Sequence, residues 1–282
     1  MKNTFSVPIE REKCFILRKG NDMIFYFSST GNSKHVADMI AKKTNEQVIS
    51  MAECVKKMQY DFKLKKGERL GFVYPIYCWS LPSVVEEFVK NVSIEKYGKH
   101  YTYSVATCGV ATGGADMELA KILSKKGIGL HATFSVTMVD NYTLVFNVKN
   151  ADKNAAKNLR AEENINNIVF LINNKTGGYH NHHRGIWPAS KATKVAYNLS
   201  RRTAPFKVSQ DCIGCGLCAK QCPTKAISLD YGKPVWAKKK CALCLGCLHN
   251  CPVNAINYGP TTKKHGQYTY TEIKEDKNAG EE

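Results

Sequence analysis

The sequence predicts an α/β domain built on a doubly wound parallel sheet, followed by a small α+β domain organised around cysteines. Apolar runs typical of strands alternate with amphipathic helical stretches between residues 23 and 173. Two cysteine-rich motifs then follow between residues 212 and 256. With 282 residues, the chain is long enough for one sizeable domain and a smaller one.

Composition narrows the class of protein. No run of 18 apolar residues occurs, and charges interrupt the segment 1–22, so we expect neither a membrane span nor a secretory signal. We therefore expect a cytoplasmic protein with an N-terminal extension at 1–22. Cytosolic reductants keep thiols free, so the 12 cysteines favour metal binding over a disulfide framework.

The first domain is predicted over residues 23–148, and a fourth helix follows its end. Its strands are expected near 23–28, 46–50, 69–74, 100–107 and 129–138. Its helices are expected near 33–43, 82–91, 115–126 and 152–173. Strands that alternate with helices in this way pair in parallel and bind ligands beyond their carboxyl ends, where the strand order reverses.

A hydroxyl-rich loop joins the first strand to the first helix. It consists of Ser28, Ser29, Thr30, Gly31, Asn32 and Ser33. It lacks the glycine fingerprint of dinucleotide sites and the Gly-Lys pair of triphosphate loops, but hydroxyls at a helix N-terminus suit a phosphate monoester. The loop resembles the flavodoxin phosphate loop, which grips the phosphate of FMN. That resemblance implies an FMN site and the strand order 2-1-3-4-5.

Three further segments are expected at the flavin. Aromatic residues after the third strand stand where flavodoxin-like proteins stack rings on the isoalloxazine, within the stretch Pro75, Ile76, Tyr77, Cys78 and Trp79. After the fourth strand, Thr107, Cys108 and Gly109 lie where backbone amides contact the ring. After the fifth, Asn141 and Tyr142 are similar to a segment that lies near the flavin in the fusion family described below.

The cysteine motif occurs twice, as CIGCGLCAKQCPTKAI at 212–227 and CALCLGCLHNCPVNAI at 241–256, displaced by 29 residues. Zinc or disulfides are the alternatives, but zinc ligands are usually split into two separated pairs. The doubled motif resembles the bacterial two-cluster ferredoxin signature, in which the fourth cysteine of each copy binds the other cluster. The resemblance implies one [4Fe–4S] cluster on Cys212, Cys215, Cys218 and Cys251, and a second on Cys222, Cys241, Cys244 and Cys247.

As a whole, residues 23–260 resemble a family of anaerobic bacterial proteins that join a flavodoxin-like domain to a two-cluster ferredoxin domain, here expected at 207–260. The resemblance implies an electron-transfer protein that relays single electrons between two clusters and FMN. Two alternatives stay open. One is a flavin-dependent reductase of a small organic acceptor, and the other is a plain ferredoxin with a vestigial flavodoxin-like domain.

The remaining segments raise the question of partners. The formal charge is +17, of which +7 falls on residues 149–206, expected to be a helical and basic linker. This charge favours docking of an acidic redox protein, whereas no nucleic-acid recognition motif accompanies it. His180, His182 and His183 form a candidate metal group, weighed against a solvated basic loop. Residues 261–282 are expected to be a tail.

Overall fold

The computed structural model describes residues 22–95, 97–98, 100–181 and 189–270. Its strands are β1 (Met23–Tyr26), β2 (Gln47–Ser50), β3 (Asp61–Lys63), β4 (Leu70–Pro75), β5 (Ser93–Glu95), β6 (Thr102–Cys108), β7 (Ala132–Thr137), β8 (Gly178–His180), β9 (Phe206–Val208), β10 (Ile227–Asp230), β11 (Lys233–Trp236) and β12 (Ile256–Tyr258). Its helices are α1 (Asn32–Thr44), α2 (Met51–Lys57), α3 (Ser83–Asn91), α4 (Ala115–Ser124), α5 (Ala151–Asn173), α6 (Ala189–Ser200), α7 (Leu217–Gln221), α8 (Gly246–His249) and α9 (Thr262–His265).

Six strands form the central sheet, in the order β2-β1-β4-β6-β7-β8. Every neighbouring pair in it is parallel. The strand order reverses at β1 and β4, so their carboxyl ends form the crevice in which such sheets bind ligands. The doubly wound α/β fold is therefore confirmed, and all five predicted strands are present in it.

Side chains alternate between the two faces of the sheet, as the pleat of a strand requires. On one face, Phe25 and Phe72 pack with residues of α3 such as Phe88. On the other, Ile24 lies in a core with Ile165 of α5. Both faces are thus covered by helices, which explains why the strands read as continuous apolar runs.

The segment 149–206 contributes more to the sheet domain than a linker does. Helix α5 buries Ile165, Ile168 and Ile172 against the sheet, and β8 adds a sixth strand beside β7. Helix α6 then leads into the cysteine-rich unit. The ring of His180 stacks on Phe134 at 5.1 Å, whereas His182 and His183 lie outside the described residues.

The cysteine-rich unit is small and built from two antiparallel ribbons. The β10–β11 hairpin follows the first motif, and β12 pairs with β9 to bring the two ends of the unit together. The rings of Phe206 and Trp236 stack at 4.5 Å, and Tyr258 meets Phe206 edge-on at 4.6 Å. Cysteines make up a large part of the core of this unit, as expected for a domain stabilised by its metal clusters.

Residues 261–270 bind both domains together. Gln267 donates to the carbonyl of Leu248 at 2.6 Å, and Tyr268 Oη donates to Asn32 Oδ1 at 2.9 Å. The backbone amide of Tyr270 donates to the carbonyl of Thr30 at 2.7 Å. The described part of the predicted tail is therefore packed structure. None of the helices described is long and apolar enough to cross a membrane.

Candidate cofactor sites

The first cysteine pocket lies between the loop before α7 and the turn before β12. Four cysteines line it, and they are the set predicted for one cluster, namely Cys212, Cys215, Cys218 and Cys251. Three come from the first copy of the motif and one from the second. Gly214 and Gly216 each have a φ of 71°, a left-handed conformation that glycine adopts without steric cost.

The second cysteine pocket lies where the cysteine-rich unit meets the loop after β1. Its cysteines are the other predicted set, namely Cys222, Cys241, Cys244 and Cys247. Phe206 and Trp236 line one side, and Ser28 and Ser29 line the other. The two pockets each draw four thiols from both copies of the motif, which fits two four-iron clusters.

Backbone amides already point at equivalent sulfurs in the two pockets. Cys222 Sγ accepts a hydrogen bond from the amide of Ala226, and Cys251 Sγ accepts one from the amide of Ala255, both at 3.3 Å. Such bonds stabilise a thiolate and tune the potential of a cluster bound to it. The two copies of the motif therefore share a backbone hydrogen bond to their fourth cysteine as well as their cysteine spacing.

In the second cysteine pocket, Cys222 and Cys241 are buried, and Cys244 and Cys247 are half-buried. Burial raises the pKa of Cys244 to about 12, with the nearby Cys241 and Cys222 adding to the effect, and raises the pKa of Cys247 well above its ordinary value. Metal must therefore displace protons here, which couples metal binding to folding. Among the residues described, no three ligand side chains converge as they do around a single metal ion. The thiolates of a four-iron cluster bind separate irons.

The phosphate pocket is formed by the loop between β1 and α1. Helix α1 has no side-chain cap at its N-terminus, so its positive end is open to an anion. Ser33 Oγ and Thr107 Oγ1 lie 2.7 Å apart, and Asn141 Nδ2 donates to Thr30 Oγ1 at 2.5 Å. The pocket, about 400 Å³ counted out to its solvent side, is lined by Ser28, Ser29, Thr30, Asn32, Ser33, Pro75, Ile76, Tyr77, Thr107, Cys108, Gly109, Met138, Val139, Asp140 and Asn141.

Gly31 is the one residue of the predicted phosphate loop that does not line this pocket. Its φ of 102° suits glycine, and a Cβ added there would lie 2.9 Å from Tyr270 Cβ. Gly31 therefore lets residues 266–270 close over the back of the loop. The other five loop residues line the phosphate pocket, where their hydroxyl and amide groups suit a phosphate monoester.

The ring pocket opens beside the phosphate pocket and is larger, about 950 Å³ counted out to its solvent side. Flat and apolar side chains dominate it, as an isoalloxazine ring requires. It is lined by Ile76, Tyr77, Cys78, Trp79, Gly109, Val110, Ala111, Asp140, Asn141, Tyr142, Phe146, Tyr197, Leu243, Cys244 and Leu245. Every other predicted flavin contact thus lines one of these two pockets.

A tight turn holds Cys78 and Trp79 at the ring pocket. Tyr77 and Ser80 exchange backbone hydrogen bonds across it, and both intervening residues have positive φ, 48° and 57°. Non-glycine residues rarely adopt this conformation, which costs roughly 1–3 kcal/mol each. Gly113 accommodates the turn, since a Cβ there would lie 2.3 Å from the Trp79 carbonyl oxygen.

The ring pocket and the second cysteine pocket share a wall. Cys244 and Leu245 line both of them. Ser29 Oγ donates to the Cys244 carbonyl at 3.0 Å and lies 3.1 Å from Tyr77 Oη. Hydrogen bonds therefore join the phosphate loop, an aromatic of the ring pocket and a predicted cluster ligand in one place.

His249 was missed by the sequence reasoning, yet it ties the two domains together. It is buried, its Nε2–H donates to the Asn141 carbonyl at 2.8 Å, and its Nδ1 accepts from the Tyr268 amide at 3.1 Å. Burial lowers the pKa of His249. Neighbouring Asn250 donates to the Ser29 carbonyl at 3.0 Å. The first motif has Lys-Gln at these two positions, and that difference was the available signal.

Asp140 is a second residue of the site that was not among the predicted flavin contacts. It lines both the phosphate pocket and the ring pocket, and burial raises its pKa. A Cβ on Gly109 would lie 2.2 Å from Asp140 Oδ2, so only glycine fits there. Lys157 Nζ donates to the Gly109 carbonyl at 2.9 Å, and burial lowers the pKa of Lys157. A carboxyl and an ammonium group thus flank the predicted amide contact at Gly109.

One basic residue of the segment 149–206 binds other groups of the protein itself. Arg201 Nε donates to the Cys241 carbonyl at 2.6 Å, and its guanidinium lies 5.6 Å from the centre of the Tyr197 ring. Tyr197 Oη donates to the Ala242 carbonyl at 2.8 Å. Arg201 therefore holds the loop of the second cysteine pocket, and reversing its charge would disturb that loop.

Comparisons with known proteins match both halves of the chain. A flavodoxin-domain model matches residues 23–138, and a 4Fe–4S dicluster-domain model matches residues 211–256. An uncharacterized polyferredoxin-like protein of Methanocaldococcus jannaschii is 32% identical over 31% of this chain, and the match spans 61% of that relative's length.

Two solved structures are similar at low identity. Rubredoxin:oxygen oxidoreductase of the anaerobe Desulfovibrio gigas has a TM-score of 0.33 at 13% identity, over 56% of this chain and 37% of that one. A short-chain flavodoxin associated with a non-canonical PDU bacterial microcompartment has a TM-score of 0.28 at 12% identity, over 52% of this chain and 98% of that one.

Proposed function

Because the chain joins a flavodoxin domain to a 4Fe–4S dicluster domain, we propose that it is an electron-transfer iron–sulfur flavoprotein that relays single electrons between two [4Fe–4S] clusters and FMN. When bound, each cluster exchanges one electron and FMN exchanges one or two. One observation carries the proposal: Cys244 lines both the second cysteine pocket and the ring pocket.

The residues of the chain have distinct tasks in this proposal. The two sets of four cysteines hold the clusters, and the open N-terminus of α1 with its hydroxyl loop binds the phosphate of FMN. Leu243 and Leu245, both buried, exclude water between the second cysteine pocket and the ring pocket. The hydrogen bonds of Ser29 and His249 keep the two domains in register.

A flavin-dependent reductase of a small organic acceptor is the second candidate. The ring pocket is open at one side, where exposed Trp79, Val110 and Phe146 offer apolar surface to an acceptor. Burial raises the pKa of Asp140 in the same pocket, and a carboxyl group placed there suits an acceptor that takes up protons with its electrons. A carrier needs neither feature.

Anaerobic cofactor analysis followed by a redox titration tests the proposal. The purified protein is expected to contain about eight irons and one FMN per chain. Iron without flavin favours the plain ferredoxin alternative, and a colourless or zinc-containing protein contradicts the proposal. Turnover of a quinone or nitro compound by the reduced protein supports the reductase, whereas stoichiometric electron exchange alone supports the carrier.

The phosphate loop is tested by the double variant Thr30→Ala with Ser33→Ala. Both hydroxyls line the phosphate pocket, so we expect FMN to bind at least tenfold more weakly, which corresponds to about 1.4 kcal/mol, while iron content stays unchanged. Ser93→Ala, at an exposed position on β5, is the control. Wild-type FMN affinity in the double variant would overturn the loop assignment.

A further inference from the structure

Apolar side chains surround the first cysteine pocket on the surface of the cysteine-rich unit. Ile213, Leu217 and Val253 line the pocket itself, and Leu229 reaches within 3.2 Å of the position that a Cβ on Gly216 would occupy. Their exposed fractions are 65% for Ile213, 39% for Leu217, 36% for Val253 and 46% for Leu229. These four residues, with Tyr231, are called the cluster patch below.

Tyr231 gives the clearest sign that the cluster patch serves a purpose. It is fully exposed, and it stands with Gly232 in the two-residue turn that joins β10 to β11. Its φ of 44° is one that Asn and Gly favour in such turns and that tyrosine rarely adopts. A tyrosine there costs folding free energy and gains no packing within the chain, so its whole ring is free to pack against a partner.

The cysteine-rich unit that carries the cluster patch is positively charged. Residues 207–260 contain seven lysines and two aspartates, and all nine side chains are exposed. Lys220 follows Leu217 by three positions on α7, and Lys233 Nζ lies 3.4 Å from the Cys212 carbonyl. An apolar surface on a positively charged unit suits an acidic protein, whereas a second copy of this chain would bring positive charge against positive charge.

Cys215, one of the predicted cluster ligands, is exposed within the same surface. A protein seated on the cluster patch would therefore lie against the first cysteine pocket. The second cysteine pocket, by contrast, already has Ser28 and Ser29 of the phosphate loop in its wall. We infer that the cluster patch is the docking surface for an acidic electron-carrier protein, an inference that rests on the proposed electron-transfer function.

Equilibrium binding to the oxygen-free holoprotein tests this inference. The probe is an acidic two-cluster ferredoxin, and a basic cytochrome c is the comparison. Tyr231→Asn should strengthen the turn and raise the Tm, yet weaken ferredoxin binding about tenfold, because exposed tyrosines are frequent binding hot spots. Lys220→Glu should weaken binding about tenfold at low salt and less at high salt.

Matched variants on the sheet domain serve as controls. Phe170→Asn on α5 and Lys125→Glu after α4 change exposed residues of the same kinds, and both should bind the ferredoxin like the wild type. Equal effects of patch and control variants, or no preference for the acidic carrier over the cytochrome, would overturn the inference. Patch-dependent binding to phosphatidylglycerol vesicles without ferredoxin binding would replace it with a membrane surface.

The two proposals fail separately. Dithionite reduction of the same samples does not need a docked protein, so it reports on the cofactors alone. If dithionite reduces both cofactors normally but the patch variants bind ferredoxin as tightly as the wild type, only the docking inference is wrong. If FMN or iron is absent, the proposed function is wrong whatever the binding data show.

Discussion

The two copies of the cysteine motif have the same cysteine spacing and opposite surroundings. In the first, Ile213 and Leu217 are exposed, while Gly214 and Gly216 carry the left-handed conformation. In the second, displaced by 29 residues, the same four positions hold Ala242, Leu243, Leu245 and Gly246. All four of these are buried. Large and small residues have exchanged places.

The exchange follows from what each copy faces. Gly246 presses on the phosphate loop, where a Cβ would lie 3.3 Å from Ser29 Cβ. Leu243 and Leu245 keep positive φ values of 49° and 55° although leucine is unsuited to them, at a cost of about 1–2 kcal/mol per residue. They persist because they fill the wall of the ring pocket. The second copy is thus shaped for the flavodoxin domain, whereas the first leaves its large side chains exposed, as the inferred docking of an external partner requires.

The largest expected difference comes from removing one predicted ligand in each copy. Cys215→Ser and Cys244→Ser should each lose about four of about eight irons per chain. Only Cys244→Ser should also stop electron exchange between the remaining iron and FMN, because Cys244 lines the ring pocket. Iron analysis and stopped-flow absorbance measure the two effects. Equal loss of exchange in both variants would remove the distinction between the copies.

Exchanging the residues at equivalent positions should give the next largest effect. Gly246→Leu places a large side chain against Ser29, and overpacking of this kind costs about 1–3 kcal/mol. We expect FMN binding to weaken by about tenfold or more. The reciprocal Leu217→Gly changes an exposed side chain and should leave FMN binding as it is. Isothermal titration of the FMN-free protein with FMN measures both.

The smallest effect is expected at the position where the first copy has Lys220 and the second has His249. His249→Gln loses the bond from Nε2 to the Asn141 carbonyl, so FMN should bind roughly three- to tenfold more weakly, about the free energy of one hydrogen bond. Lys220→Gln is the matched change in the first copy and should have no effect on FMN affinity. An FMN dissociation constant for His249→Gln within error of the wild type would show that the bond does not position the flavin loop.

The sequence predicted the features that local pattern determines. The parallel sheet and the hydroxyl loop follow from periodicity and turn composition, and the sharing of cysteines between the two copies was implied by the resemblance to two-cluster ferredoxins. Short elements such as the seven-residue helix α2 and the three-residue strand β8 carry no comparable signal, because so few residues show little periodicity. The strand β8 is fixed by its pairing with β7.

Contacts between domains were the part that the sequence could not supply. Tyr268 and Tyr270 lie far along the chain from the phosphate loop that they cover, and nothing local in the tail indicates this partner. Asp140 and His249 acquire their importance from the same packing. Comparing the two motif copies position by position was the available clue to His249, because internal repeats diverge where their surroundings differ.

The central claim is that electrons pass between the second cysteine pocket and the ring pocket within one chain. The direct test mixes oxidised, oxygen-free holoprotein with dithionite at one electron per chain and follows cluster and flavin absorbance at several protein concentrations. The claim predicts that the two signals exchange at a rate independent of protein concentration. A rate proportional to protein concentration would contradict it. So would a flavin absorbance that changes without a matching change in the cluster absorbance.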